Sequence, residues 1–323
     1  MKKMTLPIKE ILNMMVSFDK KYGIPFPVST EIIYKWALGT DLPKNTDTVI
    51  YTGGLYQLVP YIKEFTNYLE SIEEAKGTSI IMKFGERFIS LTDFFAKIVV
   101  NVSKDELEKQ YSIIRNIVEL IKSTGTDFGY LYDKDMYTGV LLFDYGLKDA
   151  FKEHAESVHK NLKESGVKAV ITIDPHTTYI LKTIYPKILK DFNINVINYL
   201  ELLYKFKMKP KREIHESFTI HDPCYYARNL NIITQPRELL LNGGVKINEP
   251  FRTKELTFCC GSPVETLSPS LSKEIAKTRL EELVLTSDRI ITMCPMCNLS
   301  LSRVNEKNAS IEDISEVLKK IYL

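Results

Sequence analysis

The 323-residue sequence predicts an α/β fold made of two repeated parallel-sheet domains that follow an N-terminal helical extension. Three observations predict this class. Short β-branched runs alternate with amphipathic helical segments, which is typical of parallel sheets built from crossover units. Related segments recur about 120 residues apart, which indicates an internal repeat. The length also suits about two domains of roughly 150 residues each.

The first elements are a helical extension and a short strand. Up to about residue 45 the apolar residues recur at helical spacing, as Ile8, Ile11, Leu12, Met15 and Val16. Pro25, Pro27 and Pro43 interrupt this segment. The β-branched run of residues 49–51 follows and ends at Gly53, which predicts a strand that enters a loop.

Two amphipathic helices and a second strand complete the first half. Ser103 and Glu106 have the spacing of a capping box. One helical face then carries Leu107, Tyr111, Ile114, Val118 and Ile121, before a helix stop at Gly125. Residues 146–164 predict a further helix, and residues 169–173 (AVITI) predict a strand. An extra segment of helical character, around residues 65–104, has no counterpart in the second half.

The second half repeats this plan. The strand-like run FTIHDPC, residues 218–224, enters a loop as VIYTGG does in the first half. The CCG at 259–261 corresponds to YTG at 137–139, an offset of 122 residues. The CPMC at 294–297 corresponds to DPHT at 174–177, an offset of 120 residues. Nearly equal offsets predict two copies of one domain.

We therefore expect two Rossmann-like domains after the extension. The extension covers residues 1–45, the first repeat 46–210 and the second 211–323. The boundary falls near residues 205–214, where the sequence KFKMKPKREI is basic and contains a proline. Basic, proline-containing segments of this kind are typical of exposed linkers.

Composition and charge exclude several classes of protein. Charged residues make up 26% and hydrophobic residues 44%, the balance of an ordinary globular protein. Lys plus Arg is 43 against 41 for Asp plus Glu, which leaves no electrostatic footprint for nucleic acid. The sequence shows no transmembrane run and no signal-like apolar core near its start. We expect a cytoplasmic protein.

The five cysteines are the strongest functional signal. They are Cys224, Cys259, Cys260, Cys294 and Cys297, with the spacing C-x34-CC-x33-C-x2-C. Each group follows a strand-like run or opens a loop, and loops at the carboxyl ends of parallel strands converge. A CxxC turn directs two thiolates at one metal centre, whereas an adjacent pair fits a polynuclear centre better. Such soft ligands select iron–sulfur clusters, zinc or Cu(I). A tetrahedral zinc site and a thioredoxin-like CxxC dithiol both stay open.

The motifs HDPCYYAR, TFCCGSPVE and ITMCPMC resemble the cysteine-rich CCG domain. That domain occurs in the B and D subunits of heterodisulfide reductase and in iron–sulfur subunits of glycolate, lactate and glycerol-3-phosphate oxidoreductases. The family carries two such domains in tandem, which would cover about residues 45–320. The resemblance implies that all five cysteines bind an iron–sulfur cluster, a [4Fe-4S] centre that is non-cubane in the heterodisulfide reductases. Some copies in the family hold zinc instead.

The resemblance also implies a function. We expect an iron–sulfur redox subunit of a heterodisulfide-reductase-like oxidoreductase complex, which transfers electrons to or from a disulfide, a thiol or a related substrate. The sequence has no ferredoxin-like CxxCxxCxxxCP run, so ferredoxin-like or flavoprotein subunits would supply the electrons. Membrane association through such a partner stays open. The alternative is a structural or docking subunit whose zinc stiffens the second domain. No catalytic residue is assigned.

The first half departs from the family pattern. The positions of the five cysteines are taken there by Gly54, Tyr137, Thr138, Asp174 and Thr177. We expect a degenerate CCG repeat that keeps its fold without a cluster. One hypothesis is that its vacated crevice packs against a partner subunit.

Four polar residues near these motifs allow more than one role. His221 is a candidate ligand, a proton donor or a group that supports a ligand, or else a structural residue at a strand end. Arg228 and Arg237 would hold an anionic substrate or cluster charge, or form surface salt bridges. His176 lies in the loop that replaces a cysteine loop.

Overall fold

Two four-stranded parallel sheets form the framework of the computed structural model, which describes residues 6–74 and 101–323. The first sheet contains β1 (Thr48–Tyr51), β2 (Gly129–Tyr130), β3 (Ala169–Thr172) and β4 (Asn195–Asn198). The second contains β5 (Ser217–His221), β6 (Lys246–Asn248), β7 (Arg289–Thr292) and β8 (Ser310–Asp313). Their orders are β2-β1-β3-β4 and β6-β5-β7-β8, with all pairs parallel. The predicted α/β tandem fold is confirmed.

Helices connect and cover the strands. The first half contains α1 (Ile8–Tyr22), α2 (Glu31–Tyr34), α3 (Leu55–Glu74), α4 (Lys104–Lys122), α5 (Val140–Asp144), α6 (Lys148–Glu164), α7 (Pro175–Tyr179), α8 (Tyr185–Ile188) and α9 (Tyr199–Lys205). The second contains α10 (Thr234–Asn242), α11 (Pro269–Val284), α12 (Pro295–Arg303) and α13 (Ile314–Tyr322). π-Helical turns span Ile180–Ile184 and Tyr225–Leu230. No helix in the described parts of the chain has both the length and the apolar character to cross a membrane.

The N-terminal helix is shorter than the sequence pattern predicts. α1 buries Ile11 and Met15 as expected, and it ends at Gly23, whose φ of 72° is left-handed. Beyond that point only short helical turns form before β1. The physical reason is that Pro25 and Pro27 cannot donate backbone hydrogen bonds to a continuing helix.

The capping box at Ser103 does not form. The Ser103 side chain accepts a hydrogen bond from the Asp105 amide at 3.2 Å and so caps α4. The Glu106 carboxylate instead pairs with Lys63 of α3, so it does not return to the cap. A tertiary ion pair has replaced the local contact. Of the predicted extra helical segment, residues 65–74 belong to α3, and residues 75–100 lie outside the described residues.

The two sheets share one register at the ends of their central strands. Tyr51 of β1 pairs with Thr172 of β3, and His221 of β5 pairs with Thr292 of β7. Tyr51 is therefore equivalent to His221, and Thr172 is equivalent to Thr292. The carboxyl ends of the central strands lie side by side in both repeats, and that edge is where loops converge in an open parallel sheet.

Counting onward from these strand ends relates the loops of the two repeats. Gly54 and Cys224 both lie three residues after the first central strand. Asp174 and Cys294 both lie two residues after the second. This agrees with the sequence repeat and supports the pairing of Gly54 with Cys224. The boundaries between extension and repeats stay predictions.

Two equivalent hydrogen bonds join the repeats, each between a tyrosine of one repeat and a strand end of the other. The Tyr56 hydroxyl of the first repeat donates to Asp313 Oδ2 of the second at 2.8 Å. In the reverse direction, Asn198 Nδ2 of the first repeat donates to the Tyr226 hydroxyl of the second at 2.7 Å. Asp313 and Asn198 each end a strand and cap the next helix. All four side chains are buried, so each contact locks a strand end.

The interface also buries the cysteine-bearing elements. α3 of the first repeat packs against α11 and α12 of the second. At its edge, Glu70 of α3 forms ion pairs with Lys273 at 2.6 Å and Arg303 at 2.9 Å. Cys260, Cys294 and Cys297 belong to the same buried apolar cluster as β1. The first repeat therefore supports the loops that carry the thiols.

The reciprocal tyrosine contacts can be tested by Tyr56→Phe. This change leaves one buried oxygen of Asp313 without its donor, which costs about 1–2 kcal/mol of unfolding free energy. Tyr204→Phe is the matched control, because Tyr204 is 43% exposed and its hydroxyl makes no hydrogen bond within the described residues. Urea denaturation should give a lower midpoint for Tyr56→Phe alone. Equal midpoints for the two variants would contradict the role assigned to this contact.

Candidate metal centre

The structure brings the five cysteines of the second repeat together from three loops. All five are free thiols. Cys260, Cys294 and Cys297 are buried, whereas Cys224 and Cys259 are partly exposed. Cys259 interacts with both Cys224 and Cys260, and Cys297 interacts with both Cys260 and Cys294, so all five thiols lie close together. The result is a compact sulfur group with one partly exposed edge.

Local backbone geometry brings these thiols close to each other. Gly261 has a φ of 89°, and a Cβ there would lie 2.5 Å from the Ser272 carbonyl oxygen. Only glycine fits this position. Its amide donates to Cys259 Sγ at 3.4 Å. Cys294 is the N-cap of α12 and Cys297 lies in its first turn. The CxxC motif thus begins a helix, the location that a thioredoxin-like dithiol also requires.

A buried ion pair ties the Cys224 loop to the CC loop. Both oxygens of Asp222 accept from Arg237 at 2.8 Å, and Asp222 Oδ2 also accepts from the Lys254 amide at 2.8 Å. The Thr257 hydroxyl donates to the Asp222 carbonyl at 2.9 Å. Arg237 is buried, and it pairs with Glu249 as well. The guanidinium of Arg237 therefore forms a buried salt bridge, not a surface one, and it is not free to bind an anionic substrate.

Further hydrogen bonds join the CC loop to its neighbours. The Ser262 hydroxyl donates to the Met296 carbonyl at 3.3 Å and accepts from the Ser300 hydroxyl at 3.0 Å, which links the loop to α12. Arg228 donates from Nε to the Glu255 carbonyl at 3.2 Å. Arg228 therefore holds the loop that leads into the paired cysteines.

His221 lies beneath the thiols. Its Nδ1 accepts a hydrogen bond from Arg279 Nε at 3.0 Å, and its Nε2 has no hydrogen-bond partner among the described residues. The side chains of His221, Cys260 and Cys297 present ligand atoms within 4.8 Å of one another. Burial lowers the pKa of His221 to about 3, so the ring is neutral. His221 thus faces the sulfur group.

The sequence motifs do not identify Arg279 as a site residue, although its position on a helix face indicates burial. Ala276, Leu280 and Leu283 form the buried face of α11, and Arg279 falls on that same face at helical spacing. Its side chain is fully buried. A single arginine on an otherwise apolar helix face requires a buried polar partner. In this fold the partners include His221 and Glu282.

The thiols cannot all ionise while they lie this close together. Cys260 and Cys224 donate hydrogen bonds to Cys259, and together with burial this raises the pKa of both donors. The same bonds, with that from the Gly261 amide, lower the pKa of Cys259. Charge on one of these thiols therefore disfavours charge on its neighbours. A bound cation would allow the remaining thiols to lose their protons.

The equivalent positions of the first repeat form a closed arrangement. A Cβ at Gly53 would lie 2.3 Å from Thr177 Oγ1 and 3.2 Å from Thr138 Cγ2, so these two side chains fill the crevice. Asp174 caps α7, and burial raises its pKa to about 6. The Tyr137 hydroxyl accepts a backbone hydrogen bond from α5. The side chains that stand in for cysteines serve as packing and capping groups.

The crevice of the first repeat borders the second repeat. The hypothesis drawn from the sequence is that this crevice packs against a partner subunit. The His176 ring contacts Tyr225 edge-on with centroids 4.9 Å apart, and Tyr179 stacks on Tyr225 at 4.7 Å. The Tyr225 hydroxyl donates to Asp144, whose pKa burial raises to about 6. Because Tyr225 directly follows Cys224, the first repeat covers one side of the sulfur group.

The fold and the sulfur group together define a CCG-type domain in the second repeat. Residues 218–302 match the family model of the cysteine-rich domain named CCG. This confirms the resemblance drawn from the cysteine motifs. The match covers all five cysteines and lies within the second sheet and its loops.

Curated proteins similar to this chain are iron–sulfur oxidoreductases and related redox proteins. The chain is 28% identical over 223 residues to the EtfAB:quinone oxidoreductase of Syntrophomonas wolfei, across 63% of this chain and 31% of that protein. It is 27% identical over 228 residues to the probable iron-sulfur-binding oxidoreductase FadF of Bacillus subtilis, across 67% and 32%.

Heterodisulfide reductase is among these relatives. The chain is 28% identical over 214 residues to the D subunit of the dihydromethanophenazine:CoB–CoM heterodisulfide reductase of Methanosarcina mazei, across 62% of this chain and 52% of that relative. The chain thus spans about a third to a half of the length of these relatives.

A pH dependence follows from Glu265, which lies just beyond the CCG motif. The residue is 1% exposed, and burial raises its pKa from 4.5 to about 8. Because the pKa is higher in the folded state, the fold retains a proton that the unfolded chain releases. Stability should therefore fall as pH rises from about 4.5 to about 8.

Glu265→Gln removes this titration. Relative to the wild type, the variant should gain roughly 2–4 kcal/mol of unfolding free energy between about pH 5 and about pH 8.5. Glu306→Gln, at an exposed position, is the control and should show no such gain. Denaturation of anaerobic protein at both pH values measures the difference. An offset for Glu265→Gln that stays constant with pH would refute the proposed titration.

Proposed function

We propose that the second repeat holds one [4Fe-4S] cluster through Cys224, Cys259, Cys260, Cys294 and Cys297. The observation that carries this proposal is the convergence of five thiols from three loops into one sulfur group. The CCG match over the same residues supports it. The similarity to the probable iron-sulfur-binding oxidoreductase of Bacillus subtilis supports it as well.

The chemistry of the donor set fits a cluster better than a single zinc ion. Thiolates are soft ligands that suit iron–sulfur clusters, zinc or Cu(I). A tetrahedral zinc site takes four ligands and would leave one thiol unused. The adjacent Cys259 and Cys260 have side chains that diverge from neighbouring backbone positions, so attachment to separate irons suits them. The non-cubane form is part of the proposal, because a cubane [4Fe-4S] cluster also takes four thiolates, one at each iron, and would leave the fifth thiol without an iron.

The arrangement of the chain determines how such a centre would be approached. When bound, a cluster exchanges electrons singly and offers iron to a substrate sulfur. Cys260, Cys294 and Cys297 lie on the buried side, whereas Cys224 and Cys259 lie on the partly exposed side. A disulfide or thiol would therefore approach along the Cys224 edge. Tyr225 and His176 border that edge and limit the space beside it.

We further propose that the chain acts as a redox subunit of a heterodisulfide-reductase-like complex. It would transfer electrons to or from a disulfide, a thiol or a related substrate. The similarity to the D subunit of a heterodisulfide reductase supports this assignment. The electrons would come from ferredoxin-like or flavoprotein subunits. We place it in the cytoplasm, with any membrane contact made through a partner.

Iron analysis of cysteine variants tests the proposed cluster. Anaerobically purified protein should be brown, with iron and acid-labile sulfide at about four each per chain. Cys260→Ser removes a buried ligand and should reduce the iron content or change the paramagnetic signal. Thr138→Ser is the matched control at the equivalent position of the first repeat. It should retain the full iron content.

Two results would overturn the proposal. A colourless protein with one zinc per chain would favour the structural alternative, in which the metal only stiffens the second domain. Unchanged iron and spectrum in Cys260→Ser would exclude Cys260 as a ligand.

A further inference from the structure

His221 and Arg279 form a buried pair that the proposed ligand set does not use. His221 ends β5, three residues before Cys224, and Arg279 lies on the buried face of α11. Arg279 Nε donates to His221 Nδ1 at 3.0 Å. Both side chains are at most 1% exposed, so water does not compete for this hydrogen bond.

The direction of this bond fixes the position of the ring proton. A guanidinium has donors and no acceptor, so Nδ1 must supply the lone pair. A neutral imidazole carries one proton, which therefore resides on Nε2. Nε2 is buried without a hydrogen-bond partner in the described parts of the chain. A ring nitrogen of His221 lies within 4.8 Å of Cys260 Sγ and Cys297 Sγ, and because Arg279 already occupies Nδ1, we assign this approach to Nε2. An N–H group thus faces the sulfur group.

The same bond argues against His221 as a metal ligand. Coordination through Nε2 requires a lone pair there, which moves the ring proton to Nδ1. That proton would then oppose the Nε–H of Arg279, and two donors would face each other without an acceptor. His221, Cys260 and Cys297 lie close enough to bind a metal as a trio. The hydrogen bond from Arg279 therefore prevents His221 from acting as the third ligand.

Arg279 is held firmly enough to impose this geometry. Its Nη1 donates to the Arg252 carbonyl at 2.8 Å and to Glu282 Oε2 at 3.0 Å. Arg252 pairs with the same carboxylate at 2.9 Å. The planar guanidinium is therefore fixed on two sides, and its Nε–H has one direction available.

We propose that Arg279 holds His221 in the Nε2–H tautomer, so that this N–H donates to a sulfur of the cluster and raises its reduction potential. The proposal rests on the proposed function, because it needs the cluster. Reduction adds negative charge to the sulfurs, and a hydrogen-bond donor stabilises that charge more than it stabilises the oxidised form. Arg279 is a positioning residue that acts through His221.

A double-mutant cycle on the reduction potential tests this role. The anaerobic holoprotein is titrated potentiometrically as wild type, Arg279→Lys, His221→Phe and the double variant. Arg279→Lys keeps the positive charge but removes the directed Nε–H. Each single variant should lower the potential, and Arg279→Lys should add little once His221→Phe is present. Arg289→Lys is the control, because Arg289 pairs with Glu216 and Glu312 and lies outside the network that holds Arg279, and it should leave the potential unchanged.

The outcomes separate this inference from the proposed function. Wild-type protein without iron and sulfide would end the proposed function itself. Full cluster content, with a potential that Arg279→Lys and His221→Phe do not move, would overturn the inference alone. Equal shifts from Arg279→Lys in the presence and absence of His221 would also overturn it, because the arginine would then act by another route.

A measurement on the unaltered sequence covers the case in which the variants fail to fold. Protein labelled with ¹⁵N-histidine is reduced to its paramagnetic state and studied by pulsed electron paramagnetic resonance. The inference predicts a weak nitrogen coupling together with an exchangeable proton. A strong coupling, typical of a directly bound imidazole, would overturn it, as would the absence of any nitrogen coupling.

Discussion

The close approach of five sulfur atoms is the constraint on which the rest of the second repeat depends. Thiols this close cannot all lose their protons unless a cation compensates their charge. Holding them together therefore requires a rigid framework. Parallel strands bring the loops to one edge, and Gly261 allows the backbone to pass. Asp222, which Arg237 holds in place, joins the Cys224 loop to the CC loop through the Lys254 amide and the Thr257 hydroxyl. Each device restricts one loop, and together they determine the shape of the site.

The first repeat has no cysteines, but its contacts with the second repeat give it a structural role. Its helix α3 covers the helices that follow the CC and CxxC motifs, and its buried core is continuous with Cys260 and Cys294. Tyr56 and Tyr226 occupy equivalent positions and contact equivalent strand ends, so the interface between the repeats is pseudo-symmetric. In the first repeat the side chain of Thr177 packs closely against Gly53. The first repeat thus has a structural role that depends on its fold.

The sequence predicted those features that depend on spacing and periodicity. The offsets between repeats agree with the strand register, and the cysteine pattern located the sulfur group. Features that depend on tertiary competition escaped prediction. Glu106 had a capping position, yet Lys63 of another helix binds it. The sequence allows surface or substrate roles for Arg237, because nothing local indicates that Asp222 and Glu249 enclose it. No local pattern identifies the role of Arg279, because its partner His221 lies 58 residues away in sequence.

We propose that the five thiols hold several metal ions bridged by sulfide. X-ray absorption at the iron edge of anaerobically purified protein can distinguish such a cluster from a single metal ion, because it reports the neighbours of the metal. We expect iron surrounded by sulfur, with additional scattering from neighbouring iron atoms. A metal bound by sulfur without any metal–metal scattering, or zinc in place of iron, would contradict it.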